Sequence, residues 1–435
     1  MNLRRWLRPG IGVKRWLAVA FTGLIGLALA GALALRQLYR EVEVEGPVQA
    51  VIFVVTLQFL PYWVRAVLLL GAGVFLFGYG SYRVIRALLG PFTESAEEPL
   101  VDLVYRRRLL SRGPRIVAIG GGTGLSALLR GLKEHTANLT AIVSVADDGG
   151  STGRLREQLG IPAVGDIRNC LVALAETESA MGELLQHRFG TDEGSLSGHA
   201  VGNLLIAAMN AIGGGDFEAA VREMNRVLAV RGSVVPASGT ALTLHARLRD
   251  GSEVVGQSRV MRMRGIERVW LEPGEVRGSR DALRAIAEAD VVVLGPGSLY
   301  TSLLATILIP DLRAALAATP ALRVYVANVA TQSGETEGYD LADHVEALAA
   351  HGIADVIEVV LANSHLAAGP DAEQGVPVKL RWPPVGAWGR PRLVLDDVVD
   401  PANPHHHDPE LLAAALLRLF GREAGSRRGH IARTA

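Results

Sequence analysis

The residues best suited to chemistry in this chain are glycines and carboxylates gathered into short polar runs. Gly120-Gly121-Gly122-Thr123-Gly124 follows an apolar run at 116–119 and precedes residues 125–132, which have helical spacing. A strand, a glycine loop and a helix in that order present backbone N–H groups to an anion, because the first turn of a helix leaves its N–H groups unpaired. Glycine also removes the side chains that would block close approach. GGGTG is neither GxGxxG nor the Walker pattern. It therefore predicts phosphate contacts at Gly121, Gly122, Thr123 and Gly124 without naming the ligand, against the plainer reading of a βα turn. A second unit of this kind joins the apolar strand 290–294 to Gly295-Pro296-Gly297-Ser298 and a helical segment. Gly297 and Ser298 would offer N–H and hydroxyl donors there, and Tyr300 could stack on a base or sugar.

Carboxylates supply the complementary chemistry. The apolar run 139–146 ends in Asp147-Asp148-Gly149-Gly150-Ser151. Two acids at a strand's carboxyl end could hold Mg²⁺, accept bonds from a sugar or ring, or orient a nucleophile. Asp-Gly is equally a turn dipeptide. Gly165-Asp166-Ile167-Arg168-Asn169 precedes a helix expected at 170–175, where Asp166 could cap the helix or join Asn169 at a ligand. His199 and Asn203 open the next helix, 204–212, as contacts or as structural residues. Asn328 ends a strand at 323–329, and Thr331 begins the polar run after it. His405 to His407 resemble a metal tract, but Asp408-Pro409 reads as an N-cap and first helical position.

The elements that must carry these runs are strands at 116–119, 139–146, 290–294, 323–329 and 356–362, alternating with helices. That is the pattern of an α/β fold with a Rossmann-like, mostly parallel sheet. Residues 241–248 alternate strictly, and Asp250-Gly251 then turns the chain into 253–257, which predicts a β-hairpin insertion. Polar residues gathered at the ends of at least four strands are the strongest sign of a site.

Composition bounds the rest. The 435 residues carry 44 basic and 44 acidic side chains, which gives no global pull toward nucleic acid. Aromatic residues are 5% of the chain, too sparse for a single-strand stacking surface, so no nucleic-acid partner is expected. One cysteine, Cys170, allows no intrachain disulfide. Residues 16–35 contain no charge and are long enough to cross a membrane core. A second apolar stretch spans 48–82, interrupted by Gln58, Pro61 and Arg65. Arginines before the first stretch and after the second predict a multi-pass inner-membrane anchor through 16–82, with the main domain in the cytoplasm. The expected divisions are a transmembrane helical hairpin at 1–90, a linker at 91–113, the α/β domain at 114–422 and a disordered basic tail at 423–435. A homo-oligomer is compatible with the sequence.

Six motifs in order, IVAIGGGTGLSALLRGLK, VSVADDGGSTGRLR, GDIRN, SGHAVGNLL, GPGSLYTSLL and NVATQSGETEGY, resemble the YvcK family of gluconeogenesis factors. That family shares a superfamily with CofD, the 2-phospho-L-lactate transferase of coenzyme F420 synthesis. The resemblance covers 114–420. It implies a Rossmann-like fold, binding of a UDP-sugar such as UDP-N-acetylglucosamine or a related nucleotide diphosphate, and a role in cell shape and wall synthesis during gluconeogenic growth. On that reading the two glycine loops hold phosphates, Tyr300 packs on the uridine or sugar, and Asn203 and Asn328 add polar contacts. CofD relatives transfer a phospholactyl group from a guanosine diphosphate donor to a deazaflavin with Mg²⁺, for which Asp147 and Asp148 would serve as catalytic or metal residues. ADDGGSTGRLR resembles the YvcK side more than the transferases. A dinucleotide-dependent oxidoreductase, suggested by a glycine loop plus an acid, has the wrong loop pattern and leaves the second loop unexplained.

Overall fold

Residues Ile116–Gly120 (β1) and Val291–Leu294 (β7) are buried along their whole length, as a central parallel strand covered on both faces must be. They pair with each other in a computed structural model of the protein, which describes residues 108–175, 180–190, 194–364, 376–382 and 391–434 and scattered positions between 21 and 79. The chain separates into two compact units, Met1–Leu109 and Leu110–Ala435. In the first, most of residues 16–82, on which the expected membrane hairpin rests, lie outside the described residues. Among the described residues no single helix is long and apolar enough to cross a membrane.

The second unit is built on a seven-stranded sheet. To β1 and β7 it adds Leu139–Val143 (β2), Ser233–Pro236 (β3), Leu322–Val326 (β8), Val359–Asn363 (β9) and Arg392–Asp396 (β10). Their order is β10-β9-β8-β7-β1-β2-β3, and every pairing is parallel. The expected mostly parallel α/β sheet is therefore present. From β1 the chain steps outward through β2 to β3. It then returns to the other side of β1 as β7 and steps outward again to β10. The strand order reverses between β1 and β7, and a crevice opens at the carboxyl ends of strands at such a reversal.

The helices that position the site are Gly122–Leu132 (α1), Gly150–Leu159 (α2), Gly165–Leu174 (α3), Ala180–Gln186 (α4) and Val201–Ile212 (α5). Further along come Phe217–Val227 (α6), Arg280–Glu288 (α7), Pro310–Ala318 (α8), Leu341–Ala350 (α9) and Pro409–Thr434 (α10). α1 packs against α3 and α10. Asp408 caps α10 as its sequence predicts, its carboxylate accepting from the N–H groups of Glu410 and Leu411 at 2.8 Å each. Two expectations are corrected here. α3 begins at Gly165 rather than at 170, so Asp166 stands inside its first turn and is not its cap. The segment after Gly421, read as a disordered tail, continues α10 to Thr434.

The hairpin insertion is present as Thr243–Leu248 (β4) and Glu253–Val255 (β5), turned at Asp250-Gly251. A third strand, Ile266–Glu272 (β6), pairs antiparallel with β4. Ile266, Val269 and Leu271 point inward, the first two spaced by three across a register irregularity, so this small sheet lays one face on the core and turns the other to water.

Candidate functional site

The loops after β1 and β7 touch. A Cβ on Gly124 would lie 2.6 Å from the Pro296 carbonyl oxygen and 3.0 Å from Gly297 Cα, so only glycine lets the two backbones approach this closely. Gly295, at φ +83°, turns the second loop toward the first. Together they line one cleft of about 580 Å³, with Gly121, Gly122, Thr123, Gly124, Gly297 and Ser298 along one part of it. Asp147, Asp166, Asn328 and Thr331 also line it. Asn328 Oδ1 accepts from the Gly297 N–H at 3.4 Å, and Thr331 Oγ1 accepts from the Val376 N–H at 3.0 Å. Ten of the fifteen candidate site residues thus line one cleft, with roughly the scale expected of a small-ligand cleft.

The missing side chains of the first loop are filled from inside. A Cβ on Gly122 would meet Asp166 Oδ1 at 2.5 Å and Asn169 Nδ2 at 2.9 Å. The Asp166 carboxylate accepts from the Gly122 N–H, and burial together with the neighbouring Asp147 charge pushes its pKa up to about 7. Asn169 backs the loop and accepts from the Arg168 guanidinium at 2.8 Å. The second loop has a parallel device. Leu299–Leu304 forms a π-helical turn, and Glu335 accepts from the N–H groups of Tyr300 at 2.6 Å and Thr301 at 3.1 Å and from the Thr301 hydroxyl at 2.8 Å. Burial raises the Glu335 pKa against these bonds.

Asp147 and Asp148 part company. Asp147 faces the cleft, accepts from the Gly149 N–H at 3.0 Å, and has its pKa raised by burial. Asp148 turns to the insertion and accepts from the Ser258 N–H at 2.8 Å, at the start of a single turn, Gln257–Val260, that contributes Gln257 and Met261 to the cleft. Tyr300 is a correction. It is 2% exposed, its hydroxyl lies 2.9 Å from that of Tyr339, and its ring meets His351 edge-on, so it packs in the core and presents no face to the cleft. His199 and Asn203 lie outside the cleft lining as well. His199 Nδ1 is 3.1 Å from Ser151 Oγ, which accepts from Asn203 Nδ2 at 3.0 Å. Burial, with Arg154 and Arg188 nearby, lowers the His199 pKa and favours the neutral ring.

Sequence reasoning missed part of the lining. Ser302, Gln332 and His405 to His407 belong to the cleft. The histidine tract stood out in the sequence, but only the return of the chain after β10 brings it beside β1 and β7.

Comparison with known proteins identifies the family. The family model described as 2-phospho-L-lactate transferase CofD matches residues 116–379. The chain belongs to the CofD family. Within that family it is similar to the Gluconeogenesis factor of Bacillus subtilis (strain 168), at 48% identity over 59% of this chain and 80% of that protein. A relative from Nostoc sp. (strain PCC 7120) is 42% identical over 96% of this chain and 92% of its own. A crystal structure of a Bacillus halodurans protein, 42% identical, superposes with a TM-score of 0.66 and covers 70% of this chain and 100% of that one. These relatives make the chain a CofD-family member of the YvcK type.

The Mg²⁺ implied by the CofD resemblance can be tested against the donors present. Among the described residues no group of three or more His, Cys, Asp or Glu is arranged to hold a metal ion. Mg²⁺ is commonly held by one or two carboxylates plus phosphate oxygens and water. Asp147 and Asp166 fit that mode, since both line the cleft and the Asp147 charge already bears on Asp166. Asp148, expected as the second ligand, is engaged with Ser258 instead.

Proposed function

We propose that the protein binds a nucleotide sugar of the UDP-N-acetylglucosamine type in the cleft between the β1 and β7 loops, as a membrane-tethered factor regulating cell shape and wall synthesis under gluconeogenic growth. The observation that carries the reading is the meeting of two glycine loops on a single cleft at the reversal of strand order. Backbone N–H groups and the Thr123 and Ser298 hydroxyls suit the diphosphate. No lysine or arginine lines the cleft among the described residues, whereas two carboxylates do. Bound Mg²⁺ would offset the negative charge that a diphosphate brings beside Asp147 and Asp166. Calorimetry with UDP-N-acetylglucosamine and Mg²⁺ tests the proposal, and no heat of binding at millimolar ligand would sink it.

The tether is supported by the uncharged stretch 16–35, the apolar stretch 48–82 and the arginines outside them. Recovery of the full-length protein in the soluble fraction of lysed cells would remove that part of the proposal.

A second reading is favoured by Asp147 and Asp166 in one cleft. A CofD-like transferase would move a phospholactyl group from a nucleoside diphosphate donor to a hydroxyl of a deazaflavin acceptor, breaking the phosphoanhydride and releasing the nucleoside monophosphate, with Asp147 positioning the acceptor. Incubation with donor, acceptor and Mg²⁺ distinguishes the two, because a pure binder yields no coupled product.

A further inference from the structure

An edge strand presents a row of N–H and C=O groups, and this fold treats two of its sheet edges differently. At β3 the edge is closed. The Asn225 side-chain amide, from α6, donates to the Val234 carbonyl and accepts from the Val234 N–H, each at 2.8 Å, as a neighbouring strand would. The arginines lining the groove there, Arg222 and Arg284, both pair with Asp281. At β6 the edge away from β4 is closed only in part. His351, just after α9, accepts the Val269 N–H on Nε2 at 2.9 Å. From Arg268 to Glu272 the register of β6 with β4 is regular. In such a ladder the N–H and C=O of one residue point to the same side, and successive residues alternate between sides. The Val269 carbonyl and both backbone groups of Leu271 therefore share the free edge, and no loop or turn of the described residues bonds to them.

A groove of about 220 Å³ opens beside that edge and shares no lining residue with the cleft. Val269, Leu271, Val276, Leu308, Pro310 and Ala350 give it apolar walls. Its charged residues are Arg268 and Arg313, both exposed, and no carboxylate lines it. Neither guanidinium has an ion-pair partner among the described residues, and Arg313 donates to the Gly352 carbonyl at 2.9 Å. Arg268 also stands directly opposite Arg247 across the β4–β6 ladder, a like-charge pairing that is unfavourable. Arg247 has Glu253 at 3.3 Å to offset it. Arg268 has no such counterpart, so this edge combines open backbone groups, apolar walls and uncompensated positive charge.

We infer that the free edge of β6 docks an acidic polypeptide segment in extended form, added to the small sheet as a further strand. A parallel strand fits the groups left open. One of its residues donates its N–H to the Val269 carbonyl and accepts the Leu271 N–H, and the Val269 N–H, held by His351, is not needed. The pleat then sets the side chains of the partner. Those level with Val269 and Leu271 share the buried face and are apolar. Those level with Arg268 and Trp270 share the water-facing side and are acidic. A small anion would meet the arginines but leave the backbone groups of β6 unpaired.

The test is fluorescence anisotropy on the full chain with a labelled peptide, Gly-Glu-Val-Glu-Val-Glu-Gly. Saturable binding with a Kd below about 1 mM is expected, and no binding at that level overturns the inference. Arg268→Glu combined with Arg313→Glu reverses the charge of the groove at two exposed positions. It is expected to raise the Kd at least about tenfold and to gain binding of the matching peptide with Lys in place of Glu. An unchanged Kd overturns the inference. Methylating the glutamate backbone nitrogens of the peptide removes N–H donors and keeps every charge. On the wild type this too is expected to weaken binding at least about tenfold. Equal binding of the plain and methylated peptides would leave only a charged patch and overturn the inference, and this arm decides the matter should the double variant fail to fold. Displacement of the peptide by an equal concentration of inorganic phosphate would make the groove a small-anion site, and displacement by UDP-N-acetylglucosamine would put the peptide in the cleft. Either result overturns the inference.

Discussion

The glycine loops after β1 and β7 share an order of residues, and the helix after each has its first N–H groups claimed by a carboxylate from a distant segment, yet the two carboxylates do different work. Asp166 sits at the cleft, accepts from the Gly122 N–H and has its pKa pushed up to about 7. Glu335 lies under the second loop, is 1% exposed, receives three donors and is no part of the cleft lining. The first can change charge near neutrality and stands where a cation or ligand in the cleft would meet it. The second is a fixture that holds the loop's shape. A helix start behind a glycine loop is therefore not automatically a vacant anion site. A diphosphate in this cleft would use the donors that remain, at Thr123, Gly124 and Ser298, with the Gly297 N–H shared with Asn328 Oδ1.

The comparison is broken most severely at its fixed side. Glu335→Ala leaves the Tyr300 and Thr301 N–H groups and the Thr301 hydroxyl without their acceptor in a buried place, and is expected to cost about 3–5 kcal/mol of stability in denaturant unfolding. A loss below about 1 kcal/mol would mean that the second loop does not depend on Glu335. Next in size is the junction of the loops. Gly124→Ala forces a methyl against the Pro296 carbonyl, backbone that cannot swing aside. It is expected to cost about 2–3 kcal/mol and to weaken UDP-sugar binding at least about tenfold by calorimetry. Unchanged affinity would show that the loops act separately.

How much of this was legible before the fold depends on the range of the contacts involved. The β1–Gly120–α1 and β7–Gly295 units declare themselves locally, because an apolar run, a glycine loop and a helical repeat are all contiguous. β4 and β5 declare themselves through alternation and Asp250-Gly251. β6 declares itself less clearly, because Ile266 and Val269 both point inward although three residues apart, across an irregularity in its register with β4. What no local pattern carries is direction. Asp147 and Asp148 are neighbours, and which one meets the cleft is decided by where the turn at Gln257–Val260 lies. The same holds for His405 to His407, which reach the cleft only through the order of the sheet, and for Tyr300, whose ring follows the π-helical turn into the core.

The adjustable side is sharpened by pH. The folded pKa of Asp166, about 7, lies above the ordinary carboxylate value of 3.8. Between those values the folded protein keeps a proton that the unfolded chain has lost. The stability linked to that proton is fully present below the unfolded pKa and is lost as pH rises through about 7. The raised pKa values of Asp147 and Glu335 act with the same sign. Asp166→Asn keeps an oxygen to accept from the Gly122 N–H and removes the titration. Its melting temperature should match the wild type near pH 3.5, draw ahead as pH rises through the window between the two pKa values, and exceed it by roughly 2–5 °C at pH 8. Parallel curves across that range would show that Asp166 is not the titrating partner in the loop.

The smallest expected effect separates the second loop's shape from its binding role. Tyr300 follows Gly297-Ser298 so closely that a stacking contact with ligand is the natural expectation, but its ring lies between Tyr339 and His351 and burial pushes its phenol pKa up. Tyr300→Phe keeps the ring and removes one hydroxyl, which pairs with the Tyr339 hydroxyl at 2.9 Å and reaches the Ile266 carbonyl at 3.4 Å. The cost should be about 1 kcal/mol in unfolding, the net worth of a buried neutral hydrogen bond, with nucleotide-sugar affinity unchanged within about twofold. A conservative loss of one hydroxyl that weakened the ligand more than it weakened the fold would place Tyr300 on the cleft after all. The second loop would then be adjustable like the first, and the contrast between Asp166 and Glu335 would no longer describe how the cleft is built.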